Sequence, residues 1–153
     1  MVLDVLKGFV PTIDSDKVLL LERLVDELLR WNPRRNLTAI TERDQVLEKH
    51  LVDSLSLLPF ARKASRLLDI GSGAGFPALP LKIVCPELEV VSVDAVGKKI
   101  EFQRHVVRTL ALKGFTARHA RVETLTEYRG GFDLVTARAL CSLEELVALA
   151  EPF

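Results

Sequence analysis

The sequence predicts an α/β protein in which a parallel sheet follows a helical N-terminal cap. Two observations lead to this prediction. From Arg66 onward, short apolar runs alternate with stretches of helical periodicity, a pattern typical of right-handed βαβ units. The first apolar run ends in the glycine-rich segment 71–75, and turns of this kind follow strands at the ligand-binding edge of parallel sheets.

Length and composition narrow the class of protein. The chain has 153 residues, of which 48% are hydrophobic and 27% charged, as in one globular domain. It has no net charge, no apolar run long enough for a membrane span, and no basic start of the kind that secretory signals have. Cys85 and Cys141 lack metal-ligand spacing, so we expect a cytoplasmic protein without a disulfide or a zinc site.

The N-terminal part is predicted to be helical. A first helix, capped by one of residues 14–16, is expected to end at Asn32-Pro33, because a residue before proline disfavours the α conformation. A second helix is expected from Thr41 to about Pro59. The predicted units are therefore a helical cap, residues 1–60, and a sheet core, residues 61–153.

The sheet core is predicted to contain four strands separated by helices. The strands are expected at Arg66–Ile70, Glu89–Asp94, Phe115–His119 and Phe132–Ala137. Helical segments are expected up to Cys85 and over Lys98–Leu112. Ser142 and Glu145 have the spacing of a capping box, which indicates a last helix.

The residues that suggest chemistry follow the carboxyl ends of these strands. Gly71, Gly73 and Gly75 follow the first strand, where glycine lets backbone N–H groups approach a ligand closely. Asp94 ends the second strand, where a carboxylate can accept hydrogen bonds from both hydroxyls of a ribose. Taken singly, the glycines are also explained as turn residues and Asp94 as a helix cap.

The third and fourth strands add to the same edge of the sheet. Val122 and Glu123 follow the third strand, where they can frame an adenine. Arg138 ends the fourth strand and is expected to face the same crevice, although a surface ion pair is its plainer interpretation. The convergence of all these positions on one edge favours a ligand site over the separate plain interpretations.

Phe76 decides between cofactors. A dinucleotide fingerprint needs a glycine at this position, because the pyrophosphate requires a close approach of the following helix. The loop G-x-G-x-G followed by a bulky residue suits S-adenosylmethionine, whose methionine tail carries no phosphate. A nucleotide-linked oxidoreductase is therefore the disfavoured alternative.

Basic side chains are concentrated in two blocks although the total charge is zero. Residues 30–66 have eight basic and four acidic side chains, and residues 98–121 have seven and one. Such blocks are typical either of solvated helix faces or of a local surface for a polyanion. The candidate phosphate contacts are Arg34, Arg35, Lys98, Lys99, Arg104 and Arg108.

Several motifs in a fixed order identify a family. They are Trp31-Asn32 with Asn36-Leu37-Thr38, His50-x-x-Asp53-Ser54, IGSGAGFPALPL, DAVGKKIEF, ARVETL and TARAL. From about Leu20 to Leu146, the chain resembles the RNA small-subunit methyltransferase G family, also called glucose-inhibited division protein B. The resemblance implies a Rossmann-like fold that uses S-adenosylmethionine to methylate N7 of a guanine in 16S ribosomal RNA of the 30S subunit.

The resemblance also implies roles for single residues. Gly71, Phe76, Val122, Glu123 and Arg138 correspond to the family's cofactor contacts, and Asp94 matches its acid after the second strand. Because guanine N7 carries a lone pair and no proton, no catalytic base is expected. Arg138 is the residue expected to act at the reacting end, on the cofactor carboxylate or on guanine O6.

Other positions receive weaker interpretations. His50 and Asp53 can flank the pocket, with a packing role as the plainer interpretation of His50. Trp31 is interpreted as a core residue, and His105 and His119 as surface residues without a role.

The chain departs from the family in four respects. Ala78 replaces a glycine, and Ala95 and Ala137 replace serines; these small-for-small changes are expected to have little effect. Family members continue past Phe153, so we expect a C-terminally truncated sheet of four strands where the family has seven. A truncated module that binds S-adenosylmethionine without catalysis is therefore the alternative to an active methyltransferase. In either case we expect a monomer.

Overall fold

The structure, a computed structural model, describes residues 2–138 and 142–153. Ala139 and Leu140 of the TARAL motif lie outside the described residues, and so does Cys141. The expectation that Cys85 and Cys141 form no disulfide therefore also falls outside the described part of the chain. The elements below refer to the described ranges only.

A four-stranded parallel sheet forms the centre of the fold. Its strands, in spatial order, are β3 (Phe115–His119), β2 (Glu89–Asp94), β1 (Arg66–Ile70) and β4 (Leu134–Ala137). In the register, Ile70 lies opposite Val93 on one side and Ala137 on the other, so the carboxyl ends of three strands meet at one edge. The strand order reverses at β1, which places the binding edge expected of such sheets beside the glycine-rich loop. The predicted parallel α/β fold is confirmed.

Helices account for the rest of the regular structure. They are α1 (Val2–Phe9), α2 (Ser15–Arg35), α3 (Arg43–Val46), a π-helical turn (Leu47–Val52), α4 (Asp53–Leu55), α5 (Leu58–Ala61), α6 (Ala78–Val84), α7 (Gly97–Thr109) and α8 (Leu143–Ala150). Short 3₁₀ turns span Val122–Thr124 and Thr126–Tyr128. Helix α8 begins with the expected capping box between Ser142 and Glu145. Helix α1 was not among the sequence predictions.

The prediction that the first long helix ends at Asn32-Pro33 is wrong. Helix α2 continues through Pro33 to Arg35 and ends where Asn36 takes a left-handed conformation, with φ of +48°. Pro33 has no N–H, so α2 lacks one hydrogen bond to the carbonyl four residues earlier. The Asn32 side chain compensates by accepting hydrogen bonds from the backbone N–H groups of Leu37 and Thr38.

The second helix of the cap also differs from its prediction. It begins at Arg43 rather than Thr41, passes through the π-helical turn, and ends at Leu55. Pro59 does not terminate it but lies in the first turn of the separate helix α5, where a missing N–H costs nothing.

One large apolar cluster connects the cap helices to one face of the sheet. Its fully buried members include Leu21, Leu24 and Leu28 of α2, Leu67 of β1 and Phe102 of α7. A smaller cluster on the other face surrounds β1 and β2 and receives the last helix through Leu149 and Ala150. No helix of the described residues is long and apolar enough to cross a membrane.

Candidate functional site

The loop between β1 and α6 has the backbone of a ligand cradle. Gly71, Gly73 and Gly75 all have positive φ, at +63°, +58° and +95°. These values favour glycine, since a side chain strains such a backbone. A Cβ on Gly73 would meet no protein atom within 4 Å, so the space in front of it is open. A Cβ on Gly75 would lie 2.4 Å from Leu79 Cδ1, so that glycine packs against α6.

Asp94 holds this loop against the end of β2. Its Oδ2 accepts a hydrogen bond from the Gly73 N–H at 2.8 Å, and its Oδ1 accepts one from the Val96 N–H at 2.8 Å. Helix α7 starts after Val96 and has no side-chain cap, so the helix-cap interpretation of Asp94 is wrong. A carboxylate offers about four lone-pair positions, and two bonds therefore leave acceptor capacity for hydroxyl donors.

Gln103 of α7 is a second brace of the loop that sequence reasoning missed. The side chain is fully buried, and its Nε2 donates to Ser72 Oγ and to the Gly73 carbonyl, both at 2.7 Å. Its Oε1 accepts a hydrogen bond from Ser92 of β2. One amide thus joins helix, loop and strand, and fixes the loop before any ligand arrives.

A buried acid, Asp69, lies in β1 just before the loop and was also missed. Its Oδ1 accepts from Thr136 Oγ1 at 3.0 Å, whereas its buried Oδ2 has no hydrogen-bond partner among the described residues. Burial raises the pKa of Asp69 to about 8, against a smaller lowering by the hydrogen bond from Thr136 and by the nearby backbone of Ala78. Asp69 is therefore mostly protonated at neutral pH. An acid inside the apolar run RLLDI was the available sequence signal.

The raised pKa of Asp69 makes stability depend on pH. Since folded Asp69 holds its proton up to about pH 8 while the unfolded side chain releases it near 3.8, the folded state binds the extra proton between these values. The free energy of unfolding should then fall with rising pH in this window, by about 1.4 kcal/mol per unit for one proton. We expect Asp69→Asn to remove this slope, measured by urea unfolding at a series of pH values.

Asp133 provides the contrast for that experiment. Backbone N–H groups of Arg66 and Ser65 donate to the carboxylate of Asp133 and hold its pKa below the usual value. The stability that Asp133 contributes is therefore lost only as pH falls. Asp133→Asn should therefore change the acid limb and leave the slope towards pH 8 unaltered. An unchanged slope in Asp69→Asn would show that another group titrates.

Phe76 connects the loop to the helical cap. Its ring stacks on the imidazole of His50, with centroids 5.0 Å apart, and His50 Nε2 lies 2.9 Å from Thr38 Oγ1. Burial lowers the pKa of His50, and the positive charge of Arg138 lowers it further. His50 is thus a neutral, half-buried ring at the rim of the loop, and the motif residues of the cap lie beside the motif residues of the core.

Arg138 also joins the cap to the sheet edge. Its Nη2 lies 2.9 Å from Asp53 Oδ2 and donates to the Lys49 carbonyl at 3.2 Å. The plain interpretation of Arg138, an ion pair, is therefore present in the structure. A guanidinium has five N–H donors, so the pair with Asp53 orients the side chain and leaves further donors for a ligand.

Val122 and Glu123 lie on the 3₁₀ turn that follows β3, and their surroundings differ. Val122 is buried in the smaller apolar cluster, next to β2, and Glu123 is exposed on the same 3₁₀ turn. This turn lies just beyond the carboxyl end of the sheet, as the sequence pattern indicates.

The candidate phosphate contacts lie on two helices, α2 and α7. Arg34 and Arg35 end α2, where Arg35 forms an ion pair with Glu101 of α7, so the two basic blocks meet at this helix pair. Arg104 donates to the Ala117 carbonyl from both Nε and Nη2 and is engaged in holding β3. Lys98 and Lys99 lie in the first turn of α7 and Arg108 in its last.

The comparisons with known proteins agree with the motifs. The family model of rRNA small subunit methyltransferase G, GidB, matches residues 17–153. The chain is 55% identical over 130 residues to ribosomal RNA small subunit methyltransferase G of Syntrophotalea carbinolica, covering 84% of this chain and 60% of that protein. It is 54% identical to the protein of the same name from Geobacter sp. strain M21, covering 92% and 65%. The chain thus spans less than two thirds of these relatives' length.

Solved structures show the same architecture. A Podospora anserina methyltransferase bound to SAH has a TM-score of 0.56 at 21% identity, over 76% of this chain and 50% of that one. A Klebsiella pneumoniae protein described as a putative O-methyltransferase has a TM-score of 0.55 at 18% identity, over 89% and 58%. At these identities, the likeness is one of fold alone, and it agrees with a Rossmann-like α/β sheet.

Proposed function

Because the chain belongs to the rRNA small subunit methyltransferase G family, we propose that it binds S-adenosylmethionine at the carboxyl edge of its sheet and methylates N7 of a guanine in 16S ribosomal RNA. The observation that carries the proposal is the contact of Asp94 Oδ2 with the Gly73 N–H. It joins an acid suited to ribose hydroxyls with a loop whose open backbone suits a phosphate-free tail.

Two features of the structure support a fit to this cofactor. The space at Gly73 is open, and an added Cβ would fill it. Phe76 closes the sixth position of the loop, where a dinucleotide would need glycine.

The proposed roles follow from position. The backbone of Gly71, Gly73 and Gly75 would hold the methionine tail, and Asp94 the ribose. Val122 would offer an apolar surface to the adenine, and Glu123 a carboxylate for its amino group. Phe76 would close one side of the site.

The chemistry demands positioning more than proton transfer. S-adenosylmethionine supplies an activated methyl group, and guanine N7 has a free lone pair. The protein therefore has to align donor and acceptor and to exclude water. Arg138 would orient the cofactor carboxylate or guanine O6 while leaving N7 free. A neutral His50 beside Phe76 adds no positive charge that would repel the cofactor's sulfonium.

RNA would reach this edge over the helical cap. In this proposal, residues 1–60 and the outer face of α7 present basic side chains, and residues 61–153 hold the cofactor. Arg34, Arg35, Lys98, Lys99 and Arg108 are the proposed phosphate contacts. Arg104 keeps that role only in part, since its guanidinium already binds the Ala117 carbonyl.

The experiment incubates 30S subunits lacking the modification with methyl-labelled S-adenosylmethionine and the chain. We expect label in 16S RNA, at a guanine and released as 7-methylguanine on hydrolysis. Cofactor retained by the protein without label in the RNA would leave a binding module without catalysis. Label at another atom of the base would refute the N7 assignment.

A further inference from the structure

A pocket separate from the glycine loop lies between α2 and α7. It measures about 750 Å³ and is lined by Arg30, Trp31, Pro33, Arg34, Arg35 and His105. We name it the α2–α7 pocket. Three of its six lining residues are arginines, and two are aromatic. This composition is unusual for a place where two helices simply pack together.

The two helices run antiparallel along this pocket. Arg23 of α2 reaches the Thr109 carbonyl, Glu27 lies 2.6 Å from His105 Nε2, and Arg35 pairs with Glu101. Helix α7 starts just after Asp94 at the carboxyl edge of the sheet. The end of α2 therefore lies beside the start of α7, on the side of the proposed cofactor site, and His105 is roughly 12 Å along α7 from Gly97.

Positive charge is in excess around the pocket. Glu27 is shared by Arg30, at 2.5 Å, and by His105, and Glu101 is paired with Arg35. Arg34 is exposed and has no ion pair among the described residues. Lys98 lies three residues before Glu101 on α7, and Arg108 lies seven residues after it. Helical periodicity therefore places both on the face of α7 that carries Glu101. This excess suits a phosphate.

Trp31 gives the pocket an aromatic wall. It is half-buried, with its ring edge-on to Phe102 at 5.6 Å and tilted against His105 at 4.7 Å. The Arg35 guanidinium lies 5.7 Å from its ring centroid. Planar guanidinium groups and aromatic rings are the surfaces on which unpaired bases stack. An acidic peptide would use the charge but not these flat surfaces.

We propose that the α2–α7 pocket binds one nucleotide of single-stranded RNA, with its phosphate on Arg34 and Arg30 and its base against Trp31 and Arg35. The inference rests on the proposed function and adds a second nucleotide site to it, away from the guanine that would be methylated. It also gives roles to Trp31 and His105, for which the sequence indicated none at the RNA. His105 keeps Glu27 turned towards α7 and so moderates the charge on Arg30.

The chain contains a single tryptophan, which makes Trp31 a local reporter. The test titrates the full chain with an oligouridylate of about ten nucleotides, a length that such sites can cover. Retention on a filter measures total binding, and tryptophan fluorescence measures occupancy of the pocket. We expect both signals to follow the same curve and to weaken together as salt is added.

Two variants with opposite expected effects on RNA affinity distinguish a change at the pocket from general damage to the fold. Arg34→Ala should weaken binding about tenfold and reduce the dependence of log affinity on log salt by about one unit. Glu101→Gln should free Arg35 and tighten binding by about threefold. Arg62→Ala is the control, because Arg62 is also exposed, belongs to the same basic block, and lies before β1 at the opposite edge of the sheet.

The outcomes distinguish the two levels of the proposal. RNA retained on the filter without change in Trp31 fluorescence, and with Arg34→Ala equal to Arg62→Ala, would overturn the pocket and leave the proposed function standing. No retention of RNA at low salt would overturn the pocket, whereas the absence of label from 16S RNA in the experiment with 30S subunits would overturn the proposed function. Equal displacement of the RNA by oligoaspartate and by uridine monophosphate, at the same charge concentration, would show a plain anion surface without a nucleotide site.

Discussion

Replacing Asp94 with asparagine is expected to weaken S-adenosylmethionine binding about 100-fold. The carboxylate accepts from the backbone N–H groups of Gly73 and Val96, and we propose that it also accepts from the ribose. An amide has one acceptor oxygen, so at least one N–H loses its partner and the ribose loses a charged acceptor. Hydrogen bonds to charged groups contribute roughly 1.5–3 kcal/mol each, which corresponds to this loss.

Equilibrium dialysis against labelled S-adenosylmethionine measures the effect. Glu89→Gln is the matched control, because Glu89 is exposed at the opposite end of the same strand. Its affinity should equal that of the wild type, and both variants should unfold cooperatively in urea. Wild-type affinity in a folded Asp94→Asn protein would remove Asp94 from the proposed site.

The largest expected effect on stability is that of Gly75→Ala. The new side chain would have to adopt φ of +95° and would place its Cβ 2.4 Å from Leu79 Cδ1. Backbone strain of about 1–2 kcal/mol and overpacking of about 1–3 kcal/mol add up to a loss of about 3 kcal/mol in the free energy of unfolding. Urea denaturation measures this loss.

Two further glycines make the comparison specific. Gly73→Ala adds strain at φ of +58° but meets no protein atom, so about 1 kcal/mol is expected together with a marked loss of cofactor affinity. Gly8→Ala, in helix α1, should be neutral or slightly stabilising. If Gly75→Ala unfolds no more easily than Gly8→Ala, the close packing of the loop against α6 is wrong. Leu79→Ala alone should cost about 2–5 kcal/mol because Leu79 is fully buried, and the double variant should lose less than the sum of the two single losses because the clash is relieved.

The strands of the sheet were predictable because their apolar runs are short, continuous and bounded by turns. Arg66–Ile70, Glu89–Asp94 and Phe115–His119 have the bounds that the pattern predicts, and β4 is shorter by two residues. The end of α2 was not predictable from the sequence. The rule that a residue before proline disfavours the α conformation takes no account of the Asn32 side chain, which stabilises the end of the helix by accepting two backbone hydrogen bonds. Helix α1 was not predicted, because helical periodicity is not clear over so short a segment.

The site was predictable in its positions but not in its contacts. Glycines and acids at strand ends can be located by alternation of strands and helices. The partner of Arg138, the Lys49 carbonyl, is 89 residues away in the sequence, and the stacking of His50 on Phe76 joins the cap to the glycine loop; neither contact can be located in this way. Likewise, charge blocks in the sequence do not tell which helices are neighbours. The pairing of α2 with α7, which creates the pocket at Trp31, follows from the three-dimensional packing alone. Asp69 and Gln103 were missed because each acts through burial.

A calorimetric titration of the chain with S-adenosylmethionine, and separately with NAD, tests the central claim most directly. We expect S-adenosylmethionine to bind at a single site and NAD to give no heat of binding, because Phe76 stands where a pyrophosphate needs glycine. Binding of NAD without binding of S-adenosylmethionine would contradict the assignment of the sheet edge.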